Sequence, residues 1–146
     1  ALARQAGARH TINAAVLAKV PDAIRELTAG GAHVSVDAFG SQEACRNSLL
    51  SLRRRGRHVQ IGLLAGDQAD PSLPMGKVIA HELEIYGSHG MQAHAYPEML
   101  DLLTAGKLPL ARLIGRHISL DDACAALANL ATSPETGITI IDRFAA

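Results

Sequence analysis

The alternation of strand-like and helix-like segments up to Gly90 is the feature that most constrains how this chain can fold. Segments rich in β-branched residues and bounded by glycine predict strands, whereas apolar residues at helical spacing predict helices. The predicted strands are His33–Ala38, Arg57–Leu64 and Leu83–Ser88, and the predicted helices are Pro21–Gly30, Ser41–Gly56 and Met75–His81. Strands that alternate with helices imply right-handed crossovers. The predicted fold class is therefore α/β, with a partial doubly wound parallel sheet.

The alternation of strand-like and helix-like segments changes after Gly90, which predicts a division of the chain into residues 1–90 and 91–146. The second part reads as a helix–strand–helix–strand segment: Pro97–Gly106, Leu113–Ser119, a helix capped by Ser119, and Gly137–Asp142. At the other end, Ala1–Gly7 reads like the last turns of a helix, as expected of a piece of a longer polypeptide, and His10–Asn13 leans towards a short strand.

Charge and cysteine usage exclude several classes of function. Lys plus Arg equals Asp plus Glu, 14 each, so nucleic acid binding is disfavoured, and no apolar run is long enough for a membrane span. We expect a soluble, cytoplasmic protein. Cys45 and Cys124 lie far apart without a Cys-x-x-Cys pair, so both are expected to be buried thiols rather than metal ligands or a disulfide.

Four glycine-containing segments, taken in their order along the chain, resemble the zinc-type medium-chain alcohol dehydrogenases. They are Gly30–Gly40, Gly56–Leu64, Ile85–Gly90 and Gly137–Asp142. The resemblance implies that residues 1–90 are the second half of a Rossmann-type dinucleotide-binding domain and that residues 91–146 return to the catalytic domain. It further implies a parent oxidoreductase, a homo-oligomer, that transfers hydride between an alcohol or aldehyde and NAD or NADP, with zinc in the parent.

The same resemblance places cofactor contacts after each strand. Ala38, Phe39 and Gly40 would lie on the adenosine side; Ile61, Gly62 and Leu63 would face the nicotinamide ring and its carboxamide; Ser88, His89 and Gly90 would add backbone bonds. The geometry of a parallel sheet also indicates the edge where these residues lie. Loops at the carboxyl ends of parallel strands diverge and leave backbone groups outside the hydrogen-bond ladder. The alternative is that Gly40, Gly62 and Gly90 are ordinary turns between strand and loop.

Two motifs that the family needs are missing from this chain. It contains no Gly-x-Gly-x-x-Gly pyrophosphate turn and no Cys and His set for zinc, and Gly137-Ile138 stands where a basic residue often begins the final strand. We therefore expect no catalytic residue and no zinc ligand here, and a chain inactive alone. A zinc-independent reductase of the same superfamily and a non-catalytic α/β association module remain as alternatives.

Several polar clusters have a structural interpretation beside the functional one. Arg53–Arg55 and Arg57 could bind phosphate, but they are expected to complement the dipole at a helix end. The histidines and acids near His89, His94, Glu98 and His81-Glu82 are expected to be solvated rather than to bind metal. Ser72–Met75 could contribute to an interface between copies, or Pro74 could block one.

The missing sequence also affects the sheet. In doubly wound order a strand near Ile12 cannot pair with Val34–Val36, because two strands would separate them. We therefore expect the Val34 strand to be an exposed edge that pairs with another copy or aggregates.

Overall fold

The computed structural model describes residues 2–130, 132–133 and 136–144. They form two compact units, Ile12–Gly90 and a unit that combines Ala1–Thr11 with Met91–Ala146. The elements are α1 (Leu2–Gln5), α2 (Val20–Leu27), β1 (Ala32–Asp37), α3 (Gln42–Leu50), β2 (Leu52–Gln60), α4 (Met75–His81), β3 (Glu84–Gly87), α5 (Tyr96–Thr104), β4 (Ile114–Ser119), α6 (Leu120–Ala128) and β5 (Ile138–Arg143).

The Ile12–Gly90 unit is built on a parallel sheet in the order β1-β2-β3. Its register aligns Val36 with Val59 and Tyr86, and Asp37 with Gln60 and Gly87. Helices α3 and α4 connect the strands as crossovers, which is how parallel neighbours must be joined. The predicted parallel α/β fold is confirmed.

The core of this unit lies beneath α3. Leu49 and Leu52 have no exposed surface and pack with Cys45, and partly buried side chains from β1, α4 and their flanks surround them. The alternate positions of β1 remain open, since Val34 and Val36 are 54% and 53% exposed. One face of the sheet is therefore packed, whereas the other is uncovered at β1.

Helix α3 begins where the sequence predicts but ends earlier than predicted. Ser41 caps it by accepting a hydrogen bond from the Ala44 N–H at 3.1 Å. The helix stops at Leu50 rather than Gly56, because the Ser51 carbonyl accepts from the Ala32 N–H and the chain joins the ladder at once. The fully buried Leu52 belongs to β2, where a bulge before Arg57 shifts the register.

The expected role of the arginine run is consequently wrong. Arg53–Arg55 lie in β2 rather than in the last turn of α3. The carboxyl end of α3 does receive cations, but they come from elsewhere: the Leu50 carbonyl accepts from Lys77 Nζ at 2.6 Å and from Arg25 Nη1 at 3.3 Å. Both contacts satisfy a helix-terminal carbonyl with a positive charge.

Two smaller expectations are also wrong. Residues 10–13 form no strand; instead, Asn13 begins a turn by accepting the Ala15 N–H on its side chain at 3.1 Å. A strand needs a paired neighbour, and β propensity alone does not supply one. Cys45 is buried as expected, but Cys124 is exposed on α6. Pro74 precedes α4 outside the strands, and the interface role of Ser72–Met75 stays a prediction.

The second unit contains the parallel pair β4-β5 with α6 between them in sequence. Ser119 caps α6 as predicted, since its hydroxyl accepts from the Asp122 N–H at 3.2 Å and donates to the Asp122 carboxylate at 2.6 Å. Within the described part of the chain, no helix has the length and apolar character needed to cross a membrane.

The position of β1 leads to a prediction about self-association. Among the described residues β1 pairs only with β2, so its outer edge presents unpaired backbone groups beside the half-exposed Val34. We expect the chain to associate as its concentration rises and Val34→Lys to reduce this association, as measured by light scattering. Val16→Lys, at a site 82% exposed outside the sheet, is the matched control and should associate like the unaltered chain. A concentration-independent monomer for the unaltered chain would contradict the prediction.

Candidate functional site

The candidate site is the rim formed where β1, β2 and β3 end. Because the strands are adjacent and parallel, their carboxyl ends lie at the same edge of the sheet. All nine residues predicted from the sequence lie in the loops that follow: Ala38, Phe39 and Gly40 after β1, Ile61, Gly62 and Leu63 after β2, and Ser88, His89 and Gly90 after β3. The structure thus brings the predicted set to one edge.

The loops after β1 and β2 touch backbone to backbone. A Cβ added to Gly62 would lie 2.2 Å from the Gly40 nitrogen, and one added to Gly40 would lie 2.3 Å from the Leu63 carbonyl oxygen. Gly40 also has φ +84°, a conformation that favours glycine. These two glycines are therefore more than generic turns, because they permit the close contact of the two loops. Nothing lies within 4 Å of a Cβ added to Gly90.

Asp37, the last residue of β1, connects these two loops. Its Oδ1 accepts from the N–H groups of Phe39 and Gly40 at 2.8 and 2.9 Å. Its backbone carbonyl accepts from the N–H groups of Ile61 and Gly62 at 2.9 and 2.8 Å. A single buried residue, 3% exposed, therefore holds both loops from below.

The surroundings of Asp37 favour its ionised form. Burial alone would raise the pKa of this carboxyl, but hydrogen bonds from the Gly40 N–H, the Gln60 amide and the Phe39 N–H, together with the charge of His58, lower it below its ordinary value. Charge-assisted hydrogen bonds of this kind are stronger than neutral ones. The rim is thus organised around a buried negative charge.

A chain of polar side chains leads from Asp37 to α3. Gln60 Nε2 donates to Asp37 Oδ2 at 2.9 Å and to the Gly62 carbonyl at 2.8 Å. Gln60 Oε1 lies 3.1 Å from Nε2 of the buried His58, whose Nδ1 is 2.9 Å from the Ser48 hydroxyl. Since Gln60 Oε1 can only accept, Nε2 of His58 carries a proton, and Nδ1 shares a hydrogen bond with the Ser48 hydroxyl.

These internal bonds use several rim donors that could otherwise bind a ligand. The N–H groups of Phe39, Gly40, Ile61 and Gly62 bond to Asp37, and the Ser88 N–H donates to the Gln60 carbonyl at 2.9 Å. Among the residues that the structure describes, the rim N–H groups without a hydrogen bond in the chain are those of Ala38, Leu63, His89 and Gly90. The backbone donors of the predicted set are therefore only partly available.

Sequence reasoning missed Asp37, His58 and Gln60, although one signal for them is present. Together with Ser35, these polar residues occupy alternate positions of two strands whose residue types otherwise indicate a packed sheet. Polar side chains at every second residue of a strand lie on one face, and on a buried face they require hydrogen-bond partners. Such a pattern therefore indicates a hydrogen-bond network.

The described residues contain no cluster of three or more His, Cys, Asp or Glu side chains that could hold a metal ion. The Cys45 thiol is also a poor ligand, because burial raises its pKa and the negative charge of Asp37 raises it further. His81 Nδ1 is buried without a hydrogen-bond partner among the described atoms. Neither group supplies a metal site.

Comparison with known proteins identifies a matching family and similar proteins. A family model described as "Zinc-binding dehydrogenase" matches residues 1–105. The protein named "Probable alcohol dehydrogenase adh" of Mycobacterium tuberculosis is 34% identical over 132 residues, which cover 90% of this chain and 36% of that protein. D-arabitol-phosphate dehydrogenase of Enterococcus avium is 31% identical over 107 residues, covering 73% of this chain and 29% of that protein.

Solved structures of similar proteins share the fold. The alcohol dehydrogenase of the archaeon Aeropyrum pernix superposes with a TM-score of 0.78 at 26% identity, over 96% of this chain and 39% of that one. Benzyl alcohol dehydrogenase of Acinetobacter calcoaceticus gives a TM-score of 0.82 at 24% identity, over 97% and 39%. The chain spans about a third of the length of the curated relatives it matches.

The Asp37 network predicts a pH-dependent contribution to stability. Asp37→Asn would place an amide NH₂ against Gln60 Nε2, which leaves buried donors unpaired and should cost about 1–3 kcal/mol of unfolding free energy at neutral pH. Because the folded-state pKa of Asp37 is lowered, its stabilisation is present above the unfolded value of about 3.9 and is lost as pH falls through the folded value. Urea unfolding of both chains should therefore show a gap that narrows in acid. A gap of the same size at every pH would contradict this assignment.

The contact of the two loops makes a second prediction. Gly62→Ala should force the loops apart and lower the unfolding free energy by about 1–3 kcal/mol, because the added methyl meets backbone that cannot rotate away. Gly87→Ala, at the end of β3, meets nothing within 4 Å and serves as the matched control. Thermal unfolding should show that Gly62→Ala is less stable than Gly87→Ala. Equal stability of the two variants would show that the loops can move apart at no cost.

Proposed function

This chain belongs to the zinc-binding dehydrogenase family, and we propose that it forms the nicotinamide-side half of a dinucleotide crevice in an enzyme that oxidises alcohols or polyols. One observation carries the proposal: the loops after three adjacent parallel strands lie along one edge, and Asp37 holds two of them in fixed contact. In open α/β sheets this edge is where ligands bind.

The rim residues fit part of a nicotinamide dinucleotide. Phe39 and Leu63 are 83% and 71% exposed, so the loops offer apolar surface to planar rings. The missing side chain of Gly62 lets these two loops stay in backbone contact. We assign Ala38, Phe39 and Gly40 to the adenosine side, and Ile61, Gly62 and Leu63 to the nicotinamide side. When bound, the dinucleotide supplies the hydride acceptor or donor.

The remaining rim donors suit the carboxamide of the nicotinamide. The N–H groups of Leu63, His89 and Gly90 are not used within the described chain, and hydrogen bonds from them would orient the ring more than they would raise affinity. Ser88 contributes through its carbonyl or hydroxyl, because its N–H already bonds to Gln60. We propose NAD or NADP as the cofactor, since the rim offers no feature that separates them.

Zinc does not fit the residues that the structure describes. No cluster of ligating side chains occurs among them. We propose that metal ligands and the pyrophosphate turn are contributed by the rest of a longer polypeptide, and that this chain alone catalyses no reaction. In the absence of those groups the rim can hold only part of the cofactor.

Comparing the isolated chain with a complete polypeptide tests this proposal. We expect the complete protein to reduce NAD or NADP in the presence of alcohols or polyols. The isolated chain with added cofactor and zinc should form reduced cofactor no faster than a buffer blank. Isothermal titration should give very weak dinucleotide binding by the chain alone. Turnover by a purified chain free of the complete protein would refute its inactivity, and a complete protein that binds neither dinucleotide would refute the assignment of the rim.

A further inference from the structure

We propose that Gln60 is a positioning residue for the dinucleotide crevice, one that sets the distance between the loops after β1 and β2. The inference rests on the function proposed above. Gln60 is not among the residues that we assign to the ligand; it acts on those residues through Asp37 and through the Gly62 carbonyl.

The orientation of the Gln60 amide follows from its neighbours. The atom beside the Asp37 carboxylate and the Gly62 carbonyl must be the NH₂ group, because an oxygen there would face two acceptors. Both amide hydrogens are therefore used, one for each loop. The opposite atom, Oε1, accepts from His58 at 3.1 Å, so the amide cannot flip without breaking a third bond.

Each of the two hydrogen bonds from Gln60 reaches a different loop. The bond to Asp37 Oδ2 orients the carboxylate whose other oxygen holds Phe39 and Gly40. The bond to the Gly62 carbonyl acts directly on the loop after β2. The backbones of Gly40 and Gly62 are already in contact, so no empty space separates the two loops. A small movement of Gln60 therefore changes the positions of the loops.

The far end of the network is anchored in the packed part of the unit. His58 is 1% exposed, and its Nδ1 lies 2.9 Å from Ser48 on α3. Gln60 is thereby held from the core side while it holds the loops on the rim side. A side chain that only filled space would need neither a fixed amide orientation nor two donors.

The test uses the complete polypeptide and measures the dissociation constant for NADH and NADPH at pH 8 and pH 5. Gln60→Glu places a carboxylate beside Asp37 and the Gly62 carbonyl, which should weaken binding about tenfold or more relative to the unaltered protein at pH 8. Protonation in acid restores one donor, and the paired carboxylates raise the pKa of the acid that carries it. The binding deficit of Gln60→Glu should therefore narrow at pH 5.

Two controls separate positioning from stability and charge. Gln60→Met has similar length but no donor, so its deficit should be the same at both pH values. Ser119→Ala removes the hydroxyl that caps α6 and should lower stability without changing dinucleotide binding. Gln5→Glu makes the same charge change on the exposed α1 and should bind like the unaltered protein.

These measurements distinguish a failure of the role inferred for Gln60 from a failure of the proposed function. If the unaltered protein binds dinucleotide and both Gln60 variants bind equally well despite lower stability, Gln60 is only structural and the inference is wrong. A Gln60→Glu deficit that does not change with pH would also overturn it. If the unaltered protein binds neither dinucleotide, the proposed function itself fails, and the inference fails with it.

Discussion

The buried carboxylate of Asp37 is the constraint on which the rim depends. Its side chain and its backbone carbonyl together accept four N–H groups from two different loops, and Gln60 adds a fifth donor. A buried charge is tolerated only when its hydrogen bonds are satisfied, so these loops cannot relax independently. The close contact of Gly40 with Gly62 follows from that arrangement, and larger residues would prevent it.

The same arrangement determines which groups the proposed half-site can offer to a ligand. Its rim donors are partly committed to holding the loops, and what faces outward is mainly apolar surface with a few N–H groups after β2 and β3. Such a surface can orient a flat ring, but it has little with which to bind a charged pyrophosphate. The chain belongs to the zinc-binding dehydrogenase family and matches about a third of its relatives' length, and we propose that the rest of the site lies in a longer polypeptide.

Much of the fold was predictable from sequence, because strand and helix periods and their caps are local signals. Ser41, Ser119 and the Met75–His81 helix were placed correctly. The end of α3 was not, since a long-range bond from Ala32 to the Ser51 carbonyl overrides the helical pattern. The nine rim positions followed from resemblance and topology. The network beneath them was missed because its partners are far apart in sequence and meet only in the sheet.

The carboxyl end of α3 bears on how the chain reaches its native state. The Leu50 carbonyl is bonded by Arg25, 25 residues before it, and by Lys77, 27 residues after it. Neither partner is available until α2 and α4 have docked, so this helix terminus should remain frayed during early collapse. Closing such separated contacts is slow relative to local helix formation. We therefore expect the last turn of α3 to become ordered late, when α2 and α4 dock and the unit completes its fold.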